Sequence, residues 1–180
     1  MSTNQNRKPK EVDSKICLVN GIIYLDGDLG EEVLFSKFDA RLNLLESRFK
    51  AILIKLKSDG GCIYESAAIA GRIARSPSFI TIEANGLVAS GALLVLAVGD
   101  HRVASKYGSF MHHDSGSYVS GRLTAMKHVV KTMLKEDNKR YGWLAELTKR
   151  DQKWWHDMAV PEYYFDADEA LEIGLIDEII

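Results

Sequence analysis

Short apolar segments alternate with helix-length amphipathic stretches from Lys15 to the end of the chain. Each apolar segment has the length of a buried strand, and each amphipathic stretch has the spacing of a surface helix. Repeated strand and helix units of this kind form parallel sheets that are covered by helices. The alternation therefore predicts an α/β fold with parallel strands.

Turn residues and hydrophobic periodicity place the individual elements. The predicted strands are 16–25, interrupted by Asn20-Gly21, then 51–56, 79–84, 101–104, 109–112 and 175–180. The predicted helices are 31–49, 63–75, 90–98, a long helical region 122–159 and 168–173. Pro161 ends the long region, because proline cannot continue a helix. Residues 1–14 are predicted to be a flexible N-terminal tail, and 15–180 a single domain.

The helical region 122–159 is long for a domain of this size. At about 1.5 Å per residue, a helix of about twenty-five residues would project beyond a compact domain. Lysines solvate one side, and the other side carries an apolar stripe. The stripe comprises Met126, Val130, Met133, Tyr141 and Leu144. We expect another subunit to cover part of this stripe; the alternative is a helix that lies along its own sheet.

Composition disfavours several classes of function. The chain of 180 residues has a formal net charge of −2, which gives no basic field for nucleic acid or an anionic membrane surface. Its longest apolar run, 89–99, is about half of the roughly 20 residues that span a bilayer, and the polar start has no signal-peptide core. Cys17 and Cys62 form no disulfide framework or zinc motif, so we expect a cytoplasmic location and no metal.

Two glycine-rich turns follow predicted strands, at 58–61 and 85–91, where α/β folds place their sites. Gly60 and Gly61 would let backbone N–H groups approach an oxyanion, although such a pair is also common in plain turns. The glycine spacings that bind nucleotide phosphates are absent from the sequence, so no nucleotide cofactor is predicted. The turns are candidate oxyanion sites.

Ser90 begins a predicted helix, where it is either an N-cap or a nucleophile. A nucleophilic serine needs a histidine base, and His112 and His113 lie at the end of a predicted strand. Because adjacent strand residues point to opposite faces, only one of them is expected to reach Ser90. Glu162, after the helix-ending proline, is the candidate third member. Competing acids are Asp157, Asp166 and Asp168.

Five segments in order carry a family resemblance. They are IIYLDG at 22–27, KSDGG at 57–61, GLVASGA at 86–92, FMHHD at 110–114 and ADEALEIGLID at 167–177. Together they resemble the ClpP family of self-compartmentalising serine proteases, from about Ile22 to Ile180. The resemblance implies a ClpP/crotonase-like superhelix of repeated βα (ββα) units with a protruding handle helix.

The resemblance also implies a site and a function. Ser90 would be the nucleophile, His113 its general base and Glu162 the acid, with the N–H groups of Gly61 and Gly91 as the oxyanion hole. The implied activity is that of a proteolytic subunit of an ATP-dependent Clp protease, a serine endopeptidase without a cofactor. It would cleave peptides or unfolded proteins inside a homo-oligomeric ring, a heptamer or a stacked double ring, joined through the long helical region. The implied partner is an AAA+ unfoldase.

Several departures from the family pattern keep alternatives open. Glu162 stands where the family usually has aspartate, Asp59 replaces a common proline, and Gly91 replaces a bulkier residue. A glycine at position 91 is similar to the pattern of the related signal-peptide peptidases, which use a Ser-Lys pair. The strand that carries His113 argues against that class. The region before Ile22 does not match the family's gating loop and first helix, which leaves unfoldase docking open. The alternatives are a crotonase-type enzyme and a catalytically silent ring subunit.

Overall fold

The computed structural model describes residues 18–19 and 21–180 of the chain, so the predicted tail 1–14 lies outside the described residues. The strands are β1 Leu18–Val19, β2 Ile22–Asp26, β3 Ala51–Ser58, β4 Phe79–Ala89, β5 His101–Ala104, β6 Ser109–His112, β7 Tyr163–Asp166 and β8 Glu178–Ile179. The helices are α1 Phe35–Glu46, α2 Ile63–Ile73, α3 Gly91–Ala97, α4 Leu123–Leu147, α5 Gln152–Asp157 and α6 Ala167–Glu172.

One mostly parallel sheet organises these elements, in the order β1-β2-β3-β4-β5-β8. The pairs β2–β3, β3–β4 and β4–β5 are parallel, and β1 pairs antiparallel with β2 across the turn at Gly21. The predicted α/β fold with parallel strands is confirmed.

The eleven residues of β4 extend beyond the predicted strand 79–84 and pair with two strands in succession. Residues 81–84 pair with β5, and residues 87–89 pair with β6. Since both pairings are parallel, β6 continues the sheet where β5 has ended. The carboxyl ends of β4 and β6 therefore lie side by side.

Side chains of β3 and β4 alternate between a buried, apolar face and a more exposed face, as expected for a sheet that packs one face on the core. All seven residues of α3 are buried, so this short helix fills the core directly after β4. Each large core side chain removed from water contributes roughly 1.5–3 kcal/mol to the free energy of unfolding. The core thus holds the end of β4 and the start of α3 in place.

The predicted helix 31–49 begins only at Phe35. Residues before it fold into a turn in which the Asp28 carbonyl accepts hydrogen bonds from the N–H groups of Glu32 and Val33. The Phe35 N–H donates to the Glu65 carboxylate at 2.7 Å, which satisfies a helix-start donor from outside the helix. Tertiary contacts, which periodicity does not report, set this boundary.

The predicted helical region 122–159 contains two helices, α4 of 25 residues and the short α5. α4 ends at Leu147, and α5 begins after Asp151, whose carboxylate caps it by accepting from the Trp154 N–H at 2.7 Å. A strand that the sequence did not predict, β7, follows and pairs antiparallel with β6. It was missed because its four residues, YYFD, show no clear alternation.

The two halves of α4 have different surroundings. Tyr141 and Leu144 are buried in the core, whereas Val130 is 47% exposed and Leu134 is 61% exposed. Between Leu123 and Thr132 every residue except Met126 is exposed. The alternative in which the whole helix lies along its own sheet is therefore wrong, and the apolar stripe of the first half is uncovered in the single chain.

His112 is fully buried at the end of β6. Its Nε2–H donates to the Trp155 carbonyl at 2.8 Å, and its ring meets Tyr141 and Trp155 edge-on. Burial, together with the charge of Arg140, lowers the pKa of His112 from 6.5 to about 4. The neutral imidazole is thus a core residue of the fold.

We predict that His112 makes the fold acid-sensitive. The unfolded chain binds this proton near pH 6.5 and the folded chain only near pH 4. Neutral His112 therefore contributes about 3 kcal/mol to the free energy of unfolding. This contribution is complete above pH 6.5 and is lost as the pH falls to 4. Urea unfolding between these pH values at fixed protein concentration should show a smaller loss for His112→Asn than for the wild type. The exposed His156→Asn is the control, and equal pH slopes for wild type and His112→Asn would contradict the assignment.

Candidate active site

Ser90 occupies the turn between β4 and α3 in an unusual backbone conformation. Its φ of 54° and ψ of −123° make it the non-glycine residue with positive φ among the described residues. Such a conformation costs of order 1–3 kcal/mol and is concentrated at functional sites. Ser90 occupies the N-cap position of α3, but its side chain makes no capping hydrogen bond to the helix. The turn instead presents Oγ at the end of the sheet.

His113 lies next to this serine. The Ser90 N–H donates to the Met111 carbonyl at 2.8 Å, which ties the turn to β6, and His113 follows the last residue of that strand. The His113 Nε2 atom is 2.8 Å from Ser90 Oγ, within hydrogen-bond distance. Because side chains alternate along the chain here, His112 enters the core while His113 faces the serine.

Glu162 is the acid that the structure brings to His113. Its Oε1 atom is 3.9 Å from His113 Nδ1, an ion-pair distance that is too long for a hydrogen bond. The Glu162 side chain is 56% exposed, and the Tyr164 hydroxyl donates to its Oε2 at 3.3 Å. The carboxylate is near the imidazole without yet engaging it.

Two of the three competing acids, Asp157 and Asp166, have other partners. Asp157 pairs with Lys153 and with His156, so its carboxylate is engaged on the surface of α5. Asp166 caps α6 by accepting from the Glu169 N–H at 3.0 Å. Asp168 lies in the first turn of α6. Of these four acids, Glu162 alone is paired with His113 in the described part of the chain.

The glycine turn lies against Ser90. A side chain at Gly60, where φ is +100°, would come within 2.7 Å of Ser90 Cβ, so only glycine fits. The Gly60 N–H donates to Ser58 Oγ at 3.1 Å, whereas the N–H groups of Gly61 and Gly91 meet no acceptor within residues 21–180. These two donors remain available to a ligand oxygen at the site.

A cleft of about 560 Å³ opens beside these groups. One side of the cleft is lined by Gly61, Cys62 and Tyr64, and the other by the α4 residues Val129 and Met133.

The sequence analysis assigned α4 to assembly alone. It missed a charged pair on this helix, Asp137 and Arg140, which lies behind His113. Their signal was present, because both positions fall on the same helix face as Tyr141 and Leu144.

Comparison with known proteins identifies the family. The family model described as Clp protease matches residues 7–180, nearly the whole chain. The chain belongs to the Clp protease family. This confirms the resemblance drawn from the five sequence segments. The match also begins earlier than Ile22, where those segments start.

Two similar proteins illustrate the relationship. The chain is 26% identical, over 168 residues, to an ATP-dependent Clp protease proteolytic subunit of Bacteroides thetaiotaomicron, covering 91% of this chain and 76% of the relative. A solved ClpP1 mutant of Listeria monocytogenes superposes with a TM-score of 0.80 at 19% identity, covering 89% of this chain and 91% of that one. The superposition confirms the expected ClpP/crotonase-like fold.

Two negative findings concern the described residues. Their His, Cys, Asp and Glu side chains form no group of three that could hold a metal ion. None of their helices combines the length and the apolar character needed to cross a membrane.

The space beside Gly91 is occupied by its neighbour on α2, Ser66. The Ser66 hydroxyl donates to the Cys62 carbonyl at 2.9 Å, and this buried side chain occupies the space where a side chain at position 91 would begin. Any added Cβ would press on Ser66 Oγ and lie 3.0 Å from its Cβ. Ser66 and Gly91 are therefore a complementary pair.

We predict that Gly91→Ala lowers the free energy of unfolding by about 1–3 kcal/mol through overpacking. Adding Ser66→Gly should restore most of it, apart from the roughly 0.5–1 kcal/mol that glycine costs within a helix. Urea midpoints provide the measurement. Gly71→Ala, where the added methyl meets only the end of Arg75, is the matched control and should not destabilise. A Gly91→Ala variant as stable as wild type would disprove the clash.

Proposed function

We propose that this protein is a serine endopeptidase that uses Ser90, His113 and Glu162. The observation that carries the proposal is the 2.8 Å contact between His113 Nε2 and Ser90 Oγ, made at a strained strand-to-helix turn. Family membership supports peptidase activity, and the cleft beside Ser90 has room for a peptide segment. A Ser-His-acid arrangement needs neither metal nor cofactor.

The reaction is peptide-bond hydrolysis in two halves. His113 Nε2 takes the Ser90 Oγ proton as the oxygen attacks the peptide carbonyl carbon, and the carbonyl oxygen becomes an oxyanion. The N–H groups of Gly61 and Gly91 donate to that oxyanion, and the positive end of α3 adds to their attraction. His113 then gives its proton to the leaving amine. Water hydrolyses the remaining ester by the same route in reverse, which releases the acid and free Ser90.

Glu162 has the role of orienting and stabilising the His113 imidazolium. At 3.9 Å from Nδ1 it must move slightly closer to hydrogen-bond the ring, and its exposed position allows this. Catalytic hydrogen bonds are commonly long in an unliganded site and shorten when substrate binds. Glutamate has the same charge and acceptor capacity as the aspartate usual in the family.

A catalytically silent ring subunit is the second candidate, and the separation of Glu162 from His113 is the observation that favours it. A crotonase-type or Ser-Lys enzyme would have no need of His113 beside Ser90.

We also propose a cytoplasmic setting, homo-oligomeric rings and an AAA+ unfoldase partner. The support for the partner is the name of the Bacteroides relative, a subunit of an ATP-dependent protease.

A fluorophosphonate probe tests the proposed chemistry. It should label wild-type protein at Ser90, and Ser90→Ala and His113→Ala should abolish labelling and lower peptide hydrolysis by several powers of ten. Glu162→Gln should lower kcat by on the order of 10²–10⁴-fold. The matched control Asp166→Asn keeps a side-chain oxygen that can cap α6, so stability and kcat should both stay close to wild type.

The results separate the candidates. An assembled wild-type particle that is neither labelled nor able to cleave unstructured peptides is a silent subunit. Slow labelling of Asp166→Asn with normal labelling of Glu162→Gln would show that the third member is misassigned.

Ring assembly through α4 is tested by light scattering coupled to size exclusion. Val130 is 47% exposed in the single chain, and a neighbouring subunit should cover it. That contact should stabilise the assembly by about 25 cal/mol per Å² of apolar surface removed from water. Val130→Asp places an unpaired charge in that contact and should split the particle without unfolding it. Tyr107→Asp, an exposed site outside α4, is the control. A wild-type mass near the 20.1 kDa of one chain, or an intact Val130→Asp particle, would refute this interface.

A further inference from the structure

One turn of α4 buries two charged side chains behind His113. Asp137 is 3% exposed, Arg140 is 2% exposed, and Arg140 Nη2 donates to Asp137 Oδ1 at 3.0 Å. A buried ion pair commonly contributes less stability than apolar residues of the same volume, unless further hydrogen bonds satisfy it. The remaining partners of this pair therefore indicate what it does.

Those partners are the backbone on both sides of Asp114. Arg140 Nη2 donates to the His113 carbonyl at 2.6 Å. The Ser115 N–H donates to Asp137 Oδ2 at 2.9 Å, and the Ser115 hydroxyl donates to Asp137 Oδ1 at 2.7 Å. All of these bonds reach residues 113–115, directly after the end of β6. One helical turn thus holds the segment that begins with His113.

A third attachment joins the same segment to the chain before Glu162. The Asp114 N–H donates to the Ala159 carbonyl at 3.3 Å. Three successive residues are therefore held from two sides, by α4 and by the segment that leads to Glu162. This matters because Glu162, at 3.9 Å from the ring, does not yet hold His113 by a hydrogen bond.

The pair is also costly in a way that argues for a role. Arg140 Nε is buried and has no acceptor within residues 21–180, and an unpaired buried donor costs about 1–3 kcal/mol. An apolar side chain at position 140 would avoid that penalty. The pair gives in return three hydrogen bonds to two consecutive peptide units and a hydroxyl, all aimed at the histidine segment.

We propose that Asp137 and Arg140 are positioning residues that hold His113 Nε2 at Ser90 Oγ by fixing the 113–115 backbone. This inference rests on the proposed serine peptidase function. The two side chains act through the backbone of the histidine and are not themselves the acid or base. Catalytic groups must be held within about 0.5 Å of their productive geometry, so release of this segment slows attack by Ser90.

The test is the double variant Asp137→Leu/Arg140→Met, which removes the ties and fills the space with apolar atoms of similar volume. We expect an unchanged urea midpoint, faster hydrogen exchange at the Ser115 N–H, and a fall of about tenfold or more in kcat and in fluorophosphonate labelling of Ser90, with KM unchanged. Arg140→Lys keeps a donor for the His113 carbonyl and should retain most of the rate. Lys139→Met, an exposed neighbour on the same turn, is the control.

Each outcome decides the matter. A folded double variant that labels within about twofold of wild type overturns the proposal, whatever its stability. If the double variant does not fold, Ser115→Ala removes the hydroxyl tie alone and should slow labelling by a few fold; unchanged labelling overturns the proposal. If wild type itself is not labelled, the proposed function has failed. The attachment of residues 113–115 to Asp137 and Arg140 is then judged by comparing the His113 ring resonances and the exchange of the Ser115 N–H between wild type and variant, and no change in either overturns the proposal.

Discussion

The site depends on the parallel pairing of the last residues of β4 with β6. Residues 87–89 of β4 pair with 109–111 of β6, and the Ser90 N–H continues this ladder by donating to the Met111 carbonyl at 2.8 Å. Parallel strands end at the same edge of a sheet, so two residues far apart in the chain come together there. The buried helix α3 fixes one end of this pairing, and β7 covers the other edge of β6.

The same strand end gives two adjacent histidines different surroundings and, in the proposed mechanism, different roles. His112 is buried against Trp155, and its low pKa keeps it neutral in the core. His113 lies one residue further, faces Ser90 and keeps access to the cleft. Alternation along the strand separates the two roles with no additional structure. Because His112 is neutral, the buried Arg140 has no second buried cation beside it, and Asp137 balances its charge.

Two acidic groups support His113 in different ways. Glu162 approaches the ring from an exposed loop, whereas Asp137 acts through Arg140 and the backbone from a buried helical turn. An exposed carboxylate is screened by water and free to move, and a buried network is rigid because all its partners are packed. In the proposed mechanism, the rigid contact holds residues 113–115 in place, and Glu162 moves to engage the ring when substrate binds.

Several features followed from the sequence by itself: the α/β class, β2, β3, α2, α3, β5 and β6, the family, and the candidates Ser90, His113 and Glu162. Each has a local signal, such as a period, a glycine turn or an ordered motif. The break between α4 and α5, strand β7, and the roles of Asp137 and Arg140 depended on tertiary contacts. Asp137 and Arg140 read as two charges on a lysine-rich helix, and only the packing of that helix against residues 113–115 makes them buried partners of the histidine segment. Their place on the buried face of α4 can be seen in the sequence, but their partners belong to a segment distant in the chain, and no local pattern identifies those partners.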